Sequence, residues 1–134
     1  MPHSQASTLV SFDADAAVEA VRAAIAGDLQ VAVEFTPDDH RTLYADDDVV
    51  DLYEGEGSMD DHFEDVHSYV HVDLTERQLF EDVVGGGSVR AMVTYMDHAA
   101  LVRVLAEREG LFVTVRPDAD VTAAVEAAEA ELGG

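Results

Sequence analysis

Apolar residues recur along this chain with two different periods, and the switches between them mark out its elements. In residues 13–26, "DADAAVEAVRAAIA", Val18, Val21 and Ile25 share one face of a helix. Aspartates suited to N-capping precede it and Gly27 follows as a stop. Residues 29–36, "LQVAVEFT", change to a period of two, with Leu29, Val31, Val33 and Phe35 against Gln30, Ala32, Glu34 and Thr36. That alternation predicts a half-buried strand. The turn "PDDH" leads into "RTLYA", which closes an antiparallel hairpin. The link "DDDVVDLYEGEG" is irregular or at most a short helix, because its two glycines interrupt anything longer.

Helical periodicity returns at residues 58–73, where Met59, Phe63, Val66 and Val70 are spaced four, three and four apart. Ser58 is the expected N-cap, and Asp60 and Asp61 suit the positive end of the helix. Thr75 with Gln78 has the form of a capping box opening a second short helix, with Leu79, Phe80 and Val83 turned inward and "GGG" at 85–87 ending it. Residues 88–96 alternate as a strand and 111–116 as another. Between them, 98–107 fits either period and is assigned as a strand, giving a three-stranded meander. A last helix spans 118–132, with Val121, Val125, Ala128 and Leu132 on its narrow apolar face. Residues 1–12 are expected as a flexible N-terminus and 13–134 as a single α+β domain. The order α-β-β-α-α-β-β-β-α builds one antiparallel sheet of about five strands with helices packed on it. That connectivity resembles the profilin-like and roadblock type of domain.

Composition alters this picture in one respect. Among 134 residues, 29 are acidic and seven basic, the seven are all arginine, and the formal net charge is −22. The acids are spread between apolar segments, and 48% of the chain is hydrophobic, so it has the means to fold and is unlike a disordered acidic tail. Self-repulsion on this scale opposes compaction in dilute buffer and is screened in concentrated salt, where the Debye length falls to roughly 3 Å near 1 M. Salt adaptation is the leading reading of the charge, and mimicry of a nucleic-acid backbone is the alternative. Direct nucleic-acid binding is disfavoured, since no basic patch exists. The absence of cysteine excludes disulfides, thiolate metal sites and a cysteine nucleophile. The N-terminus lacks a signal-peptide pattern and no run is long enough to span a membrane, so a soluble, cytoplasmic protein is expected.

The block from "RTLYADDDVV" to "TERQLFED", followed by the alternating meander, resembles a family of small, acidic, uncharacterised haloarchaeal proteins over roughly residues 14–120. The resemblance implies a halophilic archaeal source and cytoplasmic life, and it brings no assigned activity.

Candidate chemistry is sparse. On the 58–73 helix, Asp60, Glu64, His67 and His71 fall on a stripe beside the apolar one. Glu64 and His67 are spaced three apart and His67 and His71 four apart, so together they could hold a divalent metal. A further ligand is needed, and His40 or His98 could supply it. Ordinary half-exposed imidazoles beside acids are the competing account, with a pH-sensing role as a variant. "GEGSMD" imitates a phosphate-binding loop, yet it ends in Asp60 and sits among acids. The acidic run before it lacks the ligand order of a calcium loop. No G-x-S-x-G elbow is present. Arg90, Arg103 and Arg116 occupy the three meander strands and are candidate ligands for an anion if they share a face. The function best matched is a non-enzymatic regulatory or protein-interaction domain, homodimeric, with no required cofactor. A metal- or small-ligand-binding protein using Glu64, His67 and His71 is the runner-up, and a nucleic-acid mimic is third.

Overall fold

The computed structural model describes residues 3–51, 70–106 and 108–132. Its elements in chain order are β1 (His3–Ser4), α1 (Ala14–Ile25), β2 (Leu29–Phe35), β3 (His40–Ala45), α2 (Asp47–Asp51), α3 (Val70–Val84), β4 (Ala91–Tyr95), β5 (Ala100–Ala106), β6 (Glu109–Val115) and α4 (Val121–Glu131). The strands form one antiparallel sheet in the order β1-β3-β2-β6-β5-β4. Five of them are the strands expected from the alternation. The sixth is the two-residue β1, contributed by the segment expected as a flexible lead-in.

Helices α1 and α4 lie side by side on one face of the sheet. Each begins at a capping aspartate: Asp13 accepts the amide of Ala16 at 2.9 Å and Asp120 that of Ala123 at 3.0 Å. Both helices bury alanines in one cluster, Ala14 and Ala17 from α1 and Ala124 and Ala128 from α4, small residues that suit close packing of the two helices over the sheet. Beneath them Val102, Val104, Leu111, Val113 and Val115 fill the main core. The stretch 98–107 is resolved in favour of strand by this packing, because Ala100, Val102 and Val104 alternate into the core.

The opposite face is covered in part by α2, whose Val49 and Val50 pack on Val31, Val33 and Ala45. With both faces covered, β2 is buried at six of its seven positions, rather than on one side as its alternation suggested. Irregularities in register at Leu29/Val31 and Ala32/Val33 let Leu29 and Ala32 join the helix-side core.

Two expectations are corrected between residues 70 and 84. Thr75 does not open a helix: α3 runs through it from Val70 to Val84, since no glycine or proline interrupts the segment. Leu79, Phe80 and Val83 do not turn inward either, and are 57%, 47% and 73% exposed. The predicted helix start at Ser58 and its stripe of Met59, Phe63 and Val66 lie outside the described residues.

Candidate functional site

Two features stand out: an edge of the sheet that is uncovered among the described residues, and a tightly fastened N-terminal segment. The edge is β4. Among the described residues it pairs with β5 alone, and the carbonyl of Arg90 and the amide of Met96 are bonded on that side, to Leu105 and Ala99. Because antiparallel ladders alternate, the main-chain groups of Ala91, Val93 and Tyr95 are directed outward, away from β5. The side chains of Val93, Tyr95 and Met96 are exposed.

Helix α3 leads into this edge through the glycine turn. Gly85 and Gly87 adopt positive φ (68° and 91°), a conformation that suits glycine, and the Gly85 amide closes on the Glu81 carbonyl. The Glu81 carboxylate then accepts the amide of Val89 at 2.9 Å, tying the helix end to the start of β4. Otherwise α3 has no extensive packing against the sheet or the other helices among the described residues. Leu79, Phe80, Val83 and Val84 are exposed on the helix that leads into this strand. The whole stretch 85–96 carries no acid, in a chain where more than one residue in five is acidic.

The second feature surrounds Glu34 of β2, which has no solvent exposure. Burying a carboxylate is costly unless hydrogen bonds replace its water. Four do so, all from one segment: the Ser7 hydroxyl (2.9 Å) and the amides of Thr8 (3.1 Å), Leu9 (2.9 Å) and Val10 (3.1 Å). Flanking amides continue the series, Ser7 donating to Asp15 at 2.9 Å and Ser11 to Glu109 at 2.9 Å, with the Ser11 hydroxyl on Glu109 as well. Five successive amides are thus directed at carboxylates on α1, β2 and β6, a concave anion nest filled from within.

The residues nominated for chemistry fall partly within the described residues. Glu64 and His67 lie outside the described residues, and His71 falls in the first turn of α3. His40 begins β3, and His98 lies in the turn between β4 and β5. Among the described residues no cluster of three or more His, Cys, Asp or Glu is arranged to hold a metal ion. The arginines take separate partners. Arg90 reaches Glu129 of α4 at 3.4 Å, and Arg116 reaches Asp46 and Asp48 ahead of and within α2 at 3.6 and 3.4 Å. Arg103 stands opposite Phe112 and Met92 and is engaged as well. In the acidic run, Asp46 serves to cap α2, accepting the Val49 amide at 2.9 Å.

Sequence reasoning missed both observed features. The edge had a signal in its acid-free run. Glu34 had a fainter one, as a lone acid inside "VAVEF" that period two assigned to the solvent side.

The architecture defines the chain as a Roadblock-like α+β domain. It superposes on a Roadblock/LC7 domain from Streptomyces avermitilis with a TM-score of 0.60 at 16% identity, covering 86% of this chain and 88% of that one. The gliding protein MglB from Thermus thermophilus gives 0.58 at 12% identity, covering 97% and 92%. A structure described as MglB with tetrameric arrangement gives 0.58 at 11%, covering 97% and 91%. By sequence, the chain belongs to the family of a domain of unknown function, DUF7522, whose model matches residues 15–133. No curated protein matches it. Among the described residues, no helix is long and apolar enough to cross a membrane.

Proposed function

We propose that this protein is a cytoplasmic, non-enzymatic protein-interaction domain that works as a homodimer, formed through β4 and α3. One observation carries the reading. The strand at the sheet edge, the turn after it and the helix that leads into it expose seven large apolar side chains, and the strand lies in an acid-free run of a chain rich in carboxylates. Exposed sheet edges are normally blunted by charge, proline or a covering element, and among the described residues β4 has none of these. Apolar patches left open on this scale mark interaction surfaces.

A second copy suits the surface. If two β4 strands pair antiparallel about Val93, the outward groups of Ala91, Val93 and Tyr95 meet those of Tyr95, Val93 and Ala91, and the sheet doubles across a twofold axis. No acid on either strand opposes an acid on the other. Each large apolar side chain fully covered in this way contributes roughly 1.5–3 kcal/mol. The similarity to the structure described as a tetrameric MglB arrangement supports assembly as a property of the fold.

The test is the mass in solution by light scattering in multi-molar KCl. The wild-type chain is expected to run as a dimer and Val93→Asp as a folded monomer. A wild-type monomer throughout the accessible concentration range would overturn the reading.

A further inference from the structure

We infer that residues 3–11 form a latched strap that covers a second self-pairing edge of the sheet, with Glu34 as the latch. Residues 3–6 of the strap lie along the outer side of β3. His3 and Ser4 pair with Ala45 and Tyr44, the Gln5 amide donates to the Leu43 carbonyl at 3.1 Å, and its side-chain amide donates to the Thr42 carbonyl at 2.6 Å. The Arg41 guanidinium donates back to the Ala6 carbonyl at 2.8 Å. These bonds occupy the outer side of β3, so that among the described strands the two-residue β1 and β4 are the ends of the sheet.

The strap is held less by its own strand, which is two residues long, than by the residues after it. Residues 7–10 close over Glu34, and Ser11 over Glu109. Residues 1–12 contain no acid, so nothing in the strap repels the carboxylates that fasten it. The strength is concentrated at one residue, since Glu34 takes four of these donors. Hydrogen bonds to an ionised acceptor are about twice as strong as neutral ones. Changing one Glu34 oxygen to an amide places donors against donors.

When the strap opens, the occupant of the exposed edge is β3 of a second copy. Residues 40–45, "HRTLYA", contain no acid and present the same main-chain groups to a copy that they present to β1. Asp38 and Asp39 at one end approach Asp46, Asp47 and Asp48 of the other copy in an antiparallel pair, so the pairing requires concentrated salt. The dimer proposed above uses the far edge of the sheet, and the two contacts are compatible in one molecule.

The experiment compares the full-length wild type with Glu34→Gln, and with Thr8→Pro, which deletes one latch donor from an exposed position without touching the sheet. Hydrogen exchange of the amides of residues 4–10 and mass by sedimentation velocity are read together in multi-molar KCl. The expected result is fast exchange across the strap and a mass one step above the parent: a tetramer if the wild type is a dimer, a dimer if it is a monomer. The strap is therefore tested even if the β4 contact fails. Fast exchange with unchanged mass overturns the covered-edge inference, and protected amides in both variants overturn Glu34 as the latch. A doubled mass with the strap amides still protected means that straps are exchanged between copies, which also overturns it. Should Glu34→Gln not fold, Thr8→Pro gives the same readouts.

Discussion

Gly110 begins the run of β6 that faces Phe35 on one side and Leu105 on the other. A Cβ added there would lie 2.5 Å from the carbonyl oxygen of Val104 and 2.8 Å from Cζ of the Phe35 ring. The first neighbour is backbone and has nowhere to move without breaking the ladder. Gly110→Ala is expected to lower the unfolding free energy by roughly 1–3 kcal/mol, seen as a lower denaturant midpoint at unchanged slope. Gly27, with nothing within 4 Å, provides the matched control, and Gly27→Ala should shift the midpoint far less. Equal shifts in the two variants would mean that the crowding at Gly110 relaxes freely. Glu34 shows the same dependence of role on place. It is one acid of 29, and the only one buried among the described residues, because five successive amides curl around it and its neighbours.

Helix α3 sets a problem of a different kind. Fifteen residues of helix with little packing among the described residues are marginal in water, because nucleation is unfavourable and each added residue contributes little alone. Its persistence as a helix in solution therefore depends on whatever covers Leu79, Phe80, Val83 and Val84. In the dimer its amides should be protected from hydrogen exchange. In monomeric Val93→Asp they should exchange at least tenfold faster while those of β2 and β6 stay slow. Equal protection in both would show that α3 is held by its own chain. This helix also marks where the sequence ceased to be legible. Periodicity placed α1, β2, β3, β6 and α4, whose apolar residues are largely buried within the chain itself, and it placed β4 by alternation although Val93 and Tyr95 are exposed. The same rule turned Leu79, Phe80 and Val83 inward, since periodicity reports an apolar face and not what that face packs on. The strand at 100–106 was decided by Ala100, Val102 and Val104 packing under two helices, a tertiary fact that no local period contains. The arginines in the meander suggested a shared anion site only because strand parity ignores how far a guanidinium reaches. Arg90 and Arg116 extend to carboxylates on α4 and near α2.

At the scale of the whole molecule, a formal charge of −22 on 134 residues opposes compaction, and few of the 29 acids have a cation to pair with among seven arginines. Screening should therefore stabilise the fold as a whole. The melting temperature is expected to rise steeply between about 0.1 M and about 3 M KCl, where the screening length shortens to a few ångströms. A flat or falling melting temperature would remove salt adaptation as the reason for the acidity. The strand order has a consequence for how the chain reaches this state. The two central strands, β2 and β6, come from opposite halves of the sequence, and each half of the sheet is built from its own half of the chain. On the ribosome, residues 29–35 must wait for 110–115 before the sheet can close, so the early half spends most of translation with one flank of β2 unpaired. Such a closing step is non-local and slow relative to the hairpins that precede it. By the same geometry the molecule is divisible: a break between the halves leaves two pieces that meet along the β2–β6 ladder and the α1–α4 face, a natural seam for reassembly from fragments.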